Sequence, residues 1–216
     1  MIVTVLRRGG IYTAAHVHRL ALQARHAAPG EAFVCLADQD VPDVVTVRLA
    51  HAWPGWWAKL ELFRPGLFPE GERLLYADLD TTLVGPLDDL LARREPFLAI
   101  ADFYRHPPTV AQRGLGSGLM AWTAGTHTEL YERFADQADT VMLSCGWAGD
   151  QRYLEGALEP GAVTFWQDVV PGQVVSYKQH CRSGVPSGAR VVCFHGHPKP
   201  WAPTVTGIAR AGAVCQ

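Results

Sequence analysis

Two aspartates one residue apart, Asp78 and Asp80, follow directly on the apolar run Leu74-Leu75-Tyr76-Ala77. That run reads as a buried strand over residues 73–77. Alternation along an extended segment puts positions 78 and 80 on one side. Two carboxylates so close repel each other unless a cation lies between them. Oxygen donors of this type suit Mn²⁺ or Mg²⁺, which commonly share their coordination with substrate phosphates. The same three residues also make an ordinary acidic turn, so the neighbouring motifs must decide between ligand site and turn.

The elements that must position this pair alternate between strand and helix. Val3 and Val5 lie in a first apolar strand. Val17, Leu20, Ala21 and Ala24 recur at helical spacing, and Pro29-Gly30 ends that helix. Residues 32–36 and 44–47 read as a second and third strand, and 97–101 as another. The expectation is an α/β fold with a largely parallel sheet covered on both faces, its ligand beyond the carboxyl ends of the strands. Trp57, Leu60 and Phe63 predict a short helix after a tryptophan-dense loop. Trp53, Trp56 and Trp57 there make either a sugar-stacking platform or a packed cluster, and packing is the expectation for large aromatics. Gly114 to Gly118 read as a flexible loop, Thr126 to Glu129 as a capping box, and the Gly/Pro-rich tail as holding one clear strand, 191–194. One domain over residues 1–216 is the simplest organisation.

Composition narrows the function classes. Of 216 residues, 48% are apolar and 19% charged, an ordinary globular balance. A net charge of −2 supplies no general field for nucleic acid or an anionic membrane. No apolar run approaches the roughly 20 residues of a membrane span, which leaves only peripheral membrane contact. Arg7-Arg8 come after the first apolar run, the reverse of a signal peptide, so a cytoplasmic protein is expected. The five cysteines show no C-x-x-C spacing and suggest neither a disulfide framework nor a zinc site.

Two family resemblances include the aspartate pair. Asp78-Leu79-Asp80-Thr81-Thr82-Leu83-Val84 resembles the opening motif of haloacid-dehalogenase-type phosphatases, which would make Asp78 a nucleophile. In those enzymes, however, the motif usually follows the first strand, and Gly usually stands where this chain has Thr81. Residues 74–87 also resemble the Asp-x-Asp region of GT-A glycosyltransferases, especially those like family 8. Further segments are similar in the same order: Trp57 to Phe63 with Lys59, Gly116-Ser117-Gly118, Gly149-Asp150-Gln151, and Cys193 to Trp201 with His195, Gly196 and Lys199. Gly116 stands where that family has Asn, and the terminal motif is shortened, which keeps a non-catalytic sugar-nucleotide-binding protein as an alternative.

The second resemblance implies a GT-A, Rossmann-like three-layer α/β/α fold with a mostly parallel mixed sheet. It implies transfer from a nucleotide-diphosphate sugar, with UDP expected, to a glycan or other small acceptor, with retention at the anomeric carbon. Asp78, Asp80 and His195 would ligate Mn²⁺ or Mg²⁺, with His197 competing for the third place. Lys199 and Gly196 would meet the phosphates. Tyr12, Gly10 and Asp38 would border the nucleoside. Lys59, Ser117, Asp150 and Gln151 would surround the donor sugar. Arg7 and Arg8 are further phosphate candidates. Acceptor contacts are expected on residues 104–113 and 161–188.

Overall fold

The computed structural model describes residues 1–104, 113–159, 161–205 and 208. Its main sheet has seven strands in the order β3-β2-β1-β4-β7-β6-β8. These are β1 (Ile2–Leu6), β2 (Phe33–Ala37), β3 (Val45–Arg48), β4 (Arg73–Ala77), β6 (Phe97–Ala101), β7 (Leu115–Thr123) and β8 (Val163–Phe165). All pairings are parallel except those of β7, which runs antiparallel to both β4 and β6.

Strand alternation divides the core into two faces. Ile2, Leu6, Leu75 and Ala77 point to one side and pack with Val17, Leu20 and Ala24 of α1 (Ala14–Ala27). Val3, Leu36, Leu74 and Tyr76 point to the other. There they meet the 3₁₀ helix Gly55–Phe63, α3 (Thr128–Asp136) and α5 (Gly149–Ala157). Helices on both faces let the strands be apolar on both sides, as a buried parallel sheet requires.

A second sheet, in the order β5-β10-β9, packs on the α1 side through Leu83, Val174 and Val191. It consists of β5 (Thr81–Leu83), β9 (Val174–Ser176) and β10 (Val191–Cys193). β5 begins one residue after Asp80, and β10 runs antiparallel to it with Cys193 opposite Thr81. That register sets the start of β5 beside the end of β10.

Four sequence expectations change. The glycine run is not a loop, because Leu115 to Thr123 are continuous strand. A Cβ on Gly116 would lie 3.3 Å from Ile100, and one on Gly118 would lie 3.2 Å from an Asp78 carboxylate oxygen, so these glycines serve close approach within the sheet. The capping box does not form: His127, at φ 60°, is the N-cap, and Thr126 donates back to the Thr123 carbonyl at 2.7 Å. The segment around Lys59 is 3₁₀ rather than α. Among the described residues the tail holds three strands and two one-turn helices, α6 (Trp166–Val169) and α7 (Tyr177–His180), where one strand was expected. Two further helices are α2 (Asp88–Leu91) and α4 (Ala138–Cys145). Among the described residues no helix is long and apolar enough to cross a membrane.

Candidate active site

The strand order turns at β1 and β4: β2 and β3 lie to one side, β7 and β6 to the other. A crevice outside the carboxyl ends of the strands is expected at such a turn. A cleft of about 790 Å³ opens there. The Arg7–Thr13 loop after β1 and the Asp78-Leu79-Asp80 turn after β4 form adjoining walls. Arg19 of α1 pins the turn, donating to the carbonyls of Leu79 at 2.6 Å and Thr81 at 3.1 Å.

Two charge networks meet in the cleft. In the first, Lys59 Nζ lies 3.2 Å from Asp78 Oδ1 and 3.0 Å from Asp150 Oδ2, and donates to Ser117 Oγ at 3.0 Å. The Tyr76 hydroxyl donates to the same Asp78 oxygen. Lys59 and Asp150 are almost fully buried, at 7% and 4% exposure. Burial works against the Lys59 charge, but Asp150 and Asp78 more than offset it and raise the ammonium pKa. Burial, then Asp78, push the Tyr76 phenol upward as well. In the second network Lys199 Nζ donates to Asp80 Oδ2, and Tyr12 donates to the same oxygen at 3.0 Å. Burial and the adjacent Asp78 charge hold the Asp80 carboxyl above its usual range, and Lys199 pulls it partly back.

No family profile and no curated protein matches the chain. Solved structures do. The galactosyltransferase LgtC, in complex with donor and acceptor sugar analogues, superposes with a TM-score of 0.66. The alignment covers 97% of this chain and 92% of LgtC at 14% identity. The glycosyltransferase GlyE of Streptococcus pneumoniae TIGR4 superposes at 0.68 and 14% identity, covering 97% of this chain and 58% of GlyE. This is the GT-A glycosyltransferase fold.

Within the GT-A cleft lie Gly10, Tyr12, Lys59, Asp78, Asp80, Asp150, Gln151, His195, Gly196 and Lys199. Ser117, Asp38, Arg8 and His197, also nominated from the sequence, do not line it. Ser117 is buried beneath Lys59. Asp38 is held by Arg7 at 2.8 Å and by Arg8, so that Arg7, which does line the cleft, presents the charge there. His197 is exposed and also outside the cleft.

His195 reaches the cleft through the β5–β10 register, since it stands two residues after Cys193, which pairs with the Thr81 that follows Asp80. Its Nε2 is 2.7 Å from Ser176 Oγ, and its ring stacks on Phe103 at 5.7 Å. Burial, then Lys178, lower its pKa. Among the described residues no three of His, Cys, Asp and Glu are gathered around a single metal position. The three ligands drawn from the sequence are therefore not assembled, and His195 is engaged elsewhere. The two carboxylates do suit a hard divalent cation, because Asp80 carries the electrostatic cost of its neighbour and a cation would relieve it.

Several cleft residues escaped the sequence. Tyr76 carried a signal, since i and i+2 of a strand share a face and place its hydroxyl beside Asp78. Arg19 does not line the cleft itself but holds its Asp78–Asp80 turn from α1, a role that no local pattern of the helix signals. Lys178 comes from α7, in a tail whose Gly and Pro content hid its strands. Of the residues expected to contact an acceptor, Tyr104 and Lys178 line the cleft and 105–112 lie outside the described set; Phe103, just before the expected segment, lines the cleft as well. Arg113 pairs with Asp168.

Proposed function

We propose that this chain is a glycosyltransferase that moves a sugar from a nucleotide-diphosphate donor, with UDP expected, to a glycan or other small acceptor, with retention at the anomeric carbon. One observation carries the proposal. In a GT-A fold, the cleft at the sheet's switch point lines up Tyr12, Lys199, Asp80, Asp78, Lys59 and Asp150 as two adjoining charge networks. A nucleotide sugar has matching parts: a flat base, two anionic phosphates and a polyol.

In this arrangement Lys199 is a mobile point charge for the diphosphate. Gly196, at φ 68°, adopts a backbone turn open to close approach. Tyr12, Gly10 and Arg7 border the nucleoside end. Lys59 is fixed between two carboxylates and a hydroxyl, so it offers a preorganised charge with no reorganisation cost. Asp150 and Gln151 present oxygen and amide groups to sugar hydroxyls. Asp78 and Asp80 would hold Mn²⁺ or Mg²⁺, which when bound supplies charge to the departing diphosphate.

Thermal melting and nucleotide release with UDP- and GDP-hexoses, with and without Mn²⁺, test it. A donor should raise the melting temperature in the presence of Mn²⁺ and be hydrolysed slowly, and Asp80→Asn should lose the metal-dependent part. If no sugar nucleotide binds with metal present, the proposal fails. Turnover of small phosphate esters through a phosphorylated Asp78 would instead support the phosphatase resemblance.

A further inference from the structure

Three tryptophans enter this region of the chain, and the fold treats one of them differently. Trp53 and Trp57 are buried at 8% and 5% exposure against Phe134, with ring centroids 4.7 and 5.2 Å away. Trp56 is 49% exposed and lines the cleft. The turn that separates it from Trp53 passes through Gly55 at φ 55°.

The Trp56 indole has a shaped seat. Gly149, at φ 59°, opens α5 immediately before Asp150 and Gln151. A Cβ there would lie 2.3 Å from Trp56 Nε1 and 2.8 Å from Cδ1 and Cε2. Only glycine admits both that backbone conformation and the indole. Among the described residues nothing accepts a hydrogen bond from Nε1. The chain thus fixes a large apolar ring on the backbone of Gly149 and leaves about half of it exposed at a polar cleft. Leaving such a ring in water forgoes stabilisation unless something covers it.

We propose that Trp56 is a sugar-recognition residue: the apolar C–H face of the donor's hexose ring lies against the indole, while Lys59, Asp150 and Gln151 address its hydroxyls. A pyranose fits this surface because it offers an apolar face and hydroxyl acceptors for Nε1–H together. Asp80, Lys199 and the Tyr12 hydroxyl, which form the other network of the cleft, leave the nucleotide to that end. This inference rests on the proposed donor chemistry and adds a residue to it.

The test is calorimetric titration of wild type, Trp56→Leu and Trp56→Phe, each shown to be folded by circular dichroism. The ligands, with Mn²⁺ present, are UDP and GDP and their hexose conjugates. Trp56→Leu should bind the bare nucleotide as wild type does and its hexose conjugate about tenfold more weakly, and Trp56→Phe should recover part of that loss. If Trp56→Leu does not fold, Trp56→Phe alone carries the test through a smaller selective loss. Equal weakening of nucleotide and conjugate, or no weakening of either, overturns the proposal and leaves the donor reading intact. Methyl hexosides at high concentration provide the second arm. If they quench fluorescence that Trp56→Phe lacks while no nucleotide binds, the platform stands and the donor reading falls. If neither ligand class acts on wild type, both fall.

Discussion

Lys59 sits between Asp78 and Asp150 with almost no exposed surface. Removing the cation while both carboxylates remain leaves Asp150 buried and uncompensated. Lys59→Met is therefore expected to cost roughly 3–5 kcal/mol of stability, measured by urea denaturation. Lys59→Met combined with Asp150→Leu should recover much of that loss, because the orphaned charge is then gone. Gly149 makes a second prediction at this scale. Its backbone conformation is one that a side-chain-bearing residue avoids, and its Cβ position is filled by the Trp56 ring. Gly149→Ala is expected to cost about 1–3 kcal/mol from backbone strain alone, with additional loss if the indole is displaced. Fluorescence of the exposed Trp56 should shift in the same variant.

At the scale of elements, β2 and β10 bury their cysteines, and β10 leads into the cleft wall at Phe194 and His195. Burial pushes the Cys35 thiol up from 9.0 to about 12 and drives Cys193 upward as well. A raised thiol pKa means that the fold favours the protonated form. That contribution is fully present below the ordinary value of 9.0 and is lost as the pH rises through about 12. Melting temperature should accordingly fall on the alkaline side of pH 9.0, and less steeply in Cys35→Ala. Iodoacetamide at about pH 8 should label the half-exposed Cys145 in the native protein and reach Cys35 and Cys193 only in denaturant, as peptide mass mapping would show. β7 is the other informative element. Its glycines let strand backbone run under Asp78 and along Ile100, a role that composition alone reads as a loop.

For the whole molecule, the cleft is a preformed space between the loops that leave β1, β4 and β10, so a bound donor should stabilise the chain as one unit. At 100 times the dissociation constant, linkage supplies about 2.7 kcal/mol. For a chain of this length that corresponds to a rise of roughly 5–10 °C in melting temperature. Removing Mn²⁺ with a chelator should take away most of the shift from a sugar nucleotide. The metal alone should give a smaller shift, since Lys199 already occupies Asp80 and must be displaced.

The sequence by itself determined the parts of this protein that depend on local physics. Apolar runs specified β1, β4 and β6, helical spacing specified α1, and the end of β4 specified where Asp78 and Asp80 would stand. Motif order pointed to the GT-A fold before any distance was known. Tertiary structure alone decided what the residues touch. Lys59 finds Asp150 across 91 positions of chain, and Lys199 finds Asp80 across 119. No local periodicity encodes such pairs, because they follow from sheet order and from the β5–β10 register. For the same reason only the fold could separate Trp56 from Trp53 and Trp57: three like residues in one short stretch differ solely in what packs against them.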